Sequence, residues 1–154
     1  MAPVGSVAAR RSRWRRLGRA WFAGGRREEE GAALVAEIEA AGGQARFVRT
    51  DVANEADIAR LAGIATSSHG RLDFAFNNAG IELNGSIEAV THSDFRRVSD
   101  TNVWGIAAAM KHEARAMLRS SGGAIVNTSS IAGHDTAHIF PACAKKDSAR
   151  PSGY

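Results

Sequence analysis

The chain has 154 residues, 44% of them hydrophobic and 23% charged, with a formal net charge of +4 and one cysteine. That length allows at most one domain with a real core, and the composition is that of an ordinary globular protein. The single Cys143 excludes an intrachain disulfide framework and fits a reducing compartment, and no apolar run approaches a membrane span. A cytoplasmic protein with no membrane partner is therefore expected.

The charge is unevenly placed. Residues 1–27 hold eight arginines and no carboxylate, while the other twelve basic residues stand against all sixteen acidic ones. The basic character belongs to the N-terminal segment and the body is mildly acidic, which argues against a nucleic-acid-binding face. Within residues 1–25, Arg10, Arg11, Arg13, Arg15, Arg16 and Arg19 crowd around Trp14, Leu17, Trp21 and Phe22. Such a stretch fits an organelle leader, a basic-aromatic helix for membrane or RNA, or a poorly structured segment. The favoured reading is a poorly structured segment.

From Arg26 the pattern becomes regular. Leu34, Val35 and Ile38 form an apolar stripe between glutamates, which predicts an amphipathic helix stopped at Gly42-Gly43. Residues 44–50 suit a strand centred on Phe47 and Val48. Asn54 opens a second helix with a capping amide, carrying Ile58, Leu61 and Ile64 towards His69-Gly70. Residues 72–77 read as a buried strand that passes abruptly into Asn77-Asn78-Ala79-Gly80. These four residues suit either a plain turn or the crevice beyond a parallel strand's carboxyl end, where open α/β sheets bind ligands.

Thr91-His92-Ser93-Asp94 repeats the capping pattern before a long helical region. Its expected core is Phe95, Val98, Val103, Ile106, Met110, Met117 and Leu118, and Gly122-Gly123 ends it. Residues 124–128 form a third strand leading into Ser129-Ser130. Strand and helix thus alternate three times, which predicts parallel βαβ units and an α/β fold. The tail, residues 134–154, shows little apolar periodicity. His134 and His138 lack the glutamate and third ligand of a zinc motif, so no metal site is expected, and Cys143 reads as an inert thiol.

Asp51-Val52, Asn77-Asn78-Ala79-Gly80, Asn102 and Ile125-Val126-Asn127-Thr128-Ser129-Ser130 occur in the order and spacing of a known family. Over about residues 26–133 the chain resembles the classical short-chain dehydrogenase/reductases, most closely the group often named glucose or ribitol dehydrogenases. The resemblance implies a Rossmann-like, three-layer parallel sheet that binds NAD or NADP and oxidises or reduces a small alcohol or carbonyl. It implies that Asp51 and Val52 border the adenine and that Asn78, Ala79 and Gly80 line the cofactor crevice. It makes Asn102 and Ser130 catalytic residues, Asn102 helping to hold a proton-relay water and Ser130 donating to the substrate oxygen.

The departures carry equal information. The family opens with a strand and a glycine-rich turn that holds the pyrophosphate, and neither is visible before Arg26. The strand at 44–50 then lacks a natural partner. The family's Tyr-x-x-x-Lys pair falls on Cys143 and Asp147, and a carboxylate beside a thiol opposes its ionisation; Lys146 is the nearer cation, and the sole tyrosine is Tyr154. The family's later strands and subunit-contact helices have no counterpart. The expectation is an incomplete Rossmann domain over 26–133 between two irregular ends, a truncated or frame-shifted relative with low or no activity. The alternative is a non-catalytic fragment that acts as a binding or subunit-interaction module.

Overall fold

In the computed structural model, which describes residues 20–83 and 86–129, every strand is half of a parallel pair. The chain divides into two units, one ending at Asp51 and the next beginning at Val52.

The first unit is a single βαβ turn: β1 (Ala20–Gly25), α1 (Glu28–Ala40) and β2 (Gln44–Arg49). β1 and β2 pair from Ala20↔Gln44 to Gly25↔Arg49, and the Thr50 amide extends the ladder by donating to the Gly25 carbonyl at 2.8 Å. The expectation that residues up to 25 are unstructured, and that 44–50 has no partner, is therefore corrected for residues 20–25. Ala20 to Ala23 form a short apolar run closed by two glycines, and the arginines just upstream hide it from any averaged pattern. Residues 1–19 lie outside the described residues.

Three glutamates, Glu28 to Glu30, occupy the first turn of α1, where carboxylates favour the helix N-terminus. Gly42 then turns the chain at φ 80°, a conformation that only glycine adopts at little cost. α1 lies on β2 through Gly31, whose missing side chain makes room for the Phe47 ring: a Cβ there would sit 2.3 Å from it.

The second unit runs α2 (Glu55–His69), β3 (Phe74–Asn77), a 3₁₀ turn (Ile87–Ala89), α3 (His92–Ser99), a π-helical turn (Asp100–Trp104), α4 (Gly105–Leu118) and β4 (Ala124–Asn127). Both expected caps are present. Asn54 accepts from the Ala56 amide at 2.9 Å, and Thr91 and Asp94 form a reciprocal capping box. β3 and β4 pair in parallel from Phe74↔Ala124 to Asn77↔Asn127, with the helical segment as crossover. The α/β fold with parallel strands is thus the one anticipated.

The core of this unit is Ile58, Ala108 and Ala109 with Val52 packed against them, flanked by Ala65, Ala75, Val98, Ala116 and Met117. Here the expected core of the long helix needs correcting. Val98 and Met117 are buried, but Val103, Met110 and Leu118 are 59%, 41% and 83% exposed. The π turn inserts an extra residue per turn and shifts the phase of everything after it. The inward face of α4 is made instead of Gly105, Ala108, Ala109 and Ala116. These small residues allow close approach: a Cβ on Gly105 would stand 2.8 Å from the Val52 carbonyl oxygen. Across the outer seam, Glu55 of α2 accepts from both Lys111 and His112 of α4. No helix among the described residues is long and apolar enough to cross a membrane.

Two measurements test this packing. Gly31→Ala gains about 1 kcal/mol of helix propensity but overpacks Phe47, a cost of about 1–3 kcal/mol, so it is expected to destabilise. Gly63→Ala on α2, where a Cβ meets nothing within 4 Å, is expected to stabilise by up to about 1 kcal/mol. Urea midpoints for the pair check both signs. The Lys111 and His112 hydrogen bonds also hold the Glu55 carboxyl below its ordinary value of 4.5. Its stabilising contribution is therefore complete above that value and lost as pH falls below it. A urea midpoint scan against pH should show this acid loss, and Glu55→Gln should flatten it.

Candidate functional site

The carboxyl ends of β3 and β4 lie side by side, and both end in asparagine at paired register positions. This is an economical way to close a parallel pair, because a carboxamide both donates and accepts. The Asn77 Nδ2 donates to the Asn127 Oδ1 at 3.0 Å and to the Glu113 Oε2 of α4 at 2.9 Å. One residue further, the Thr128 hydroxyl donates to the Asn78 Oδ1 at 2.8 Å, while the Thr128 amide donates to the Asn77 carbonyl at 2.9 Å. The two chains therefore leave the sheet tied together by side chains as well as backbone.

Asn78, Ala79 and Gly80 follow as an exposed rim. The rim is anchored at its far end by Asn102. The Ile81 amide donates to the Asn102 Oδ1 and the Asn102 Nδ2 donates to the Ile81 carbonyl, both at 2.9 Å. Asn102 reaches this position because it sits in the π turn between α3 and α4, a local widening of the helix often found at functional sites. A Cβ on Gly80 would lie 3.5 Å from the Asn102 Oδ1, so the rim runs close against the anchoring side chain.

Of the residues singled out in the sequence, the fold brings Asn78, Ala79, Gly80 and Asn102 together. Both polar ends of the Asn102 side chain are engaged by Ile81, so the role this geometry gives it is to clamp the loop. Asp51 closes the first unit, half-buried and engaged by a partner. Val52 opens the second, where its side chain packs on Ile58, Ala108 and Ala109. Ser130, Cys143, Lys146, Asp147, Tyr154, His134 and His138 lie outside the described residues. Among the described residues, no group of three or more His, Cys, Asp or Glu side chains could hold a metal ion.

Sequence reasoning missed Glu113. Burial pushes its carboxyl above the ordinary value of 4.5, with the Asn77 hydrogen bond acting in the opposite direction. The available signal was a lone carboxylate in an alanine-rich helix about three turns beyond Asn102, the same face that reaches the strand ends. What the arrangement offers chemically is a rigid, exposed strip of backbone and small side chains beside the ends of two parallel strands. This is where open α/β sheets receive ligands.

A family model described as short chain dehydrogenase matches residues 11–146. The 3beta-hydroxysteroid dehydrogenase of Mediterraneibacter gnavus is 40% identical over 110 residues, which is 71% of this chain and 40% of that protein. A solved short-chain type dehydrogenase/reductase from Mycobacterium ulcerans superposes with a TM-score of 0.76 at 38% identity, covering 84% of this chain and 49% of that one. An NAD+-bound xylitol dehydrogenase superposes with a TM-score of 0.76 at 28% identity, over 84% of this chain and 50% of its own. The chain thus spans about half the length of the structures it matches, and less of its curated relative.

The Asn102 clamp is directly testable. Asn102→Ala leaves the Ile81 amide and carbonyl unpaired, at a cost of about 1–3 kcal/mol. Asn102→Asp keeps the acceptor for the amide but sets a carboxylate against the carbonyl. Hydrogen exchange at Ile81 should accelerate in both variants, and more in Asn102→Ala, while exchange in β2 stays unchanged.

Proposed function

The chain belongs to the short-chain dehydrogenase family, and on that premise we propose that it carries one wall of a nicotinamide-cofactor site in an NAD- or NADP-dependent oxidoreductase. The substrate class is a small alcohol or carbonyl compound. The observation that carries this reading is the clamped, exposed strip Asn78-Ala79-Gly80 at the ends of two parallel strands.

The residues present fit the rim of such a site. Ala79 and Gly80 offer backbone with almost no side chain in the way, and Asn78 has one carboxamide oxygen fixed by Thr128, which leaves its orientation defined. In this reading Asn78, Ala79 and Gly80 line the cofactor, and Asp51 and Val52 border its adenine. Ser130 donates a hydrogen bond to the substrate oxygen, and Asn102 keeps the strip in place and supports the proton route. The bound nicotinamide supplies or accepts the hydride. The Rossmann-type part of the chain then begins at Ala20 rather than Arg26, because β1 belongs to the same ladder as β2.

Support comes from the relatives. One acts on a hydroxysteroid by its name, and another is a xylitol dehydrogenase holding NAD+. Turnover is expected to be low or absent, because Cys143 and Asp147 stand where the family carries its proton-exchanging tyrosine and its lysine. That same pair favours the second reading, a cofactor-binding or subunit-interaction module without catalysis.

Calorimetry with NAD+ and with NADP+, on protein verified as folded, tests the cofactor site. Binding of one of them, with slower exchange at residues 78–81, is expected. Absence of both heat and protection would sink the proposal. An assay against mixed alcohols then separates the two readings. Cys143→Tyr combined with Asp147→Lys should raise turnover by about a hundredfold in the catalytic reading, the lower range for a restored general acid–base group. It should leave a non-catalytic module silent.

A further inference from the structure

Asn77 has two amide hydrogens, and both meet oxygen: one the Glu113 Oε2 and the other the Asn127 Oδ1. Turning that carboxamide over would set its carbonyl oxygen against both acceptors at once. The orientation of Asn77 is therefore chosen by its neighbours, and Asn127 alone is a weak selector because its own carboxamide can also turn. Among the described residues its Nδ2 donates to the Met110 sulfur at 3.2 Å, a weak acceptor. The selecting group is Glu113, since a carboxylate accepts and never donates.

We propose that Glu113 is a positioning residue for the cofactor rim: through its hydrogen bond to Asn77 it fixes the tie between the ends of β3 and β4 from which Asn78, Ala79 and Gly80 project. This inference rests on the cofactor-rim reading above.

The proton on Glu113 decides whether the selection operates. Ionised, it demands an N–H from Asn77. Protonated, it can donate instead, and both orientations of the Asn77 carboxamide become acceptable. The groups around it leave this to burial. Asn77 faces it from β3, and Asn127 shares that amide from β4. On α4 itself, Lys111 and His112 are turned to Glu55 of α2. Burial is the main influence on Glu113 and the Asn77 hydrogen bond the opposing one, with no charged group contributing. Its carboxyl therefore titrates above 4.5 in the folded chain. Ionisation orders the rim but is disfavoured by burial, so the fold loses stability as pH rises through that range while the rim gains definition.

The test follows the Asn77 side-chain amide resonances against pH, and NAD+ and NADP+ affinity by calorimetry at the same pH values. In the wild type, the Asn77 resonances should move with a midpoint above 4.5, and nucleotide affinity should rise about tenfold through that midpoint, the size expected for a hydrogen bond to a charged group. Glu113→Gln carries a carboxamide that can turn and donate, as the protonated carboxyl can. It should therefore bind nucleotide as the low-pH wild type does and lose the pH dependence of both signals. Glu113→Leu should lose about tenfold in affinity at neutral pH, and if it fails to fold, the glutamine variant and the wild-type titration still decide. Asn77 resonances indifferent to pH in the wild type, or a folded Glu113→Leu with unchanged affinity, would overturn the proposal. Failure of the wild type to bind either nucleotide at any pH would instead overturn the cofactor reading, leaving the Asn77 titration to decide what Glu113 does.

Discussion

Two hydrogen bonds between the Asn102 carboxamide and the backbone of Ile81 govern where the chain goes after β3. Without them the residues beyond Asn77 would form an ordinary exposed connection, and such connections are rarely held to one path. With them, both backbone groups of one loop residue are satisfied by one side chain. The side chain can do this because the π turn at Asp100–Trp104 widens the helix where Asn102 stands. The same irregularity then requires Gly105, since the helix resumes directly against the Val52 carbonyl. Loop anchor, helix distortion and glycine are parts of a single solution.

The small residues of α4 serve the same end. Ala108, Ala109 and Ala116 bury little area each, so their contribution by transfer alone is modest. Their value is the short distance they allow between α4 and its neighbours, at which Asn102 and Glu113 can reach β3 and its loop. The helix thus meets carboxylates in contrasting settings: Glu55 reaches it from α2, and Glu113 is its own. On the outer seam, Glu55 is held low by hydrogen bonds from Lys111 and His112, and its ion pair with the half-exposed Lys111 is worth little in solvent. On the inner side, Glu113 is held high by burial, with one carboxamide for company. A carboxyl in the second setting costs stability at neutral pH, so its presence there is better explained by what it orients than by what it stabilises.

What the sequence made legible follows from how local each signal is. Caps and stops are local: Asn54, the Thr91–Asp94 box and Gly42 each sit where the pattern put them. The strands 74–77 and 124–127 fall within the stretches anticipated, because a short apolar run ending in asparagine is readable by itself. β1 escaped, since its apolar residues are few and lie beside a dense arginine cluster. The buried face of α4 was misread for a different reason: a 3.6-residue period was carried through a π turn, so Met110 and Leu118 were assigned inward when they face out. Of the candidate site, Asn78, Ala79, Gly80 and Asn102 were singled out through motif order, and the fold brings them together. Glu113 could not be found that way, because its partner lies 36 positions earlier in the chain and only folding joins them.

Among the described residues, the contacts that shape the rim belong to the second unit, from Asn77 and Ile81 to Asn102, Glu113, Asn127 and Thr128. The rim's geometry is therefore a property of how one helical segment packs on one strand pair. Both of its side-chain anchors, Asn102 and Glu113, are carried by that continuous segment, one at its widened start and one near its middle. A rigid element that holds a loop at two points cannot release one without straining the other, because packed interiors deform little and their tolerance is well under an ångström. The strand ends and the rim consequently form one mechanical object. That gives the half-buried Asn77 carboxamide, tied to both strand ends, the leverage to set the strip's position.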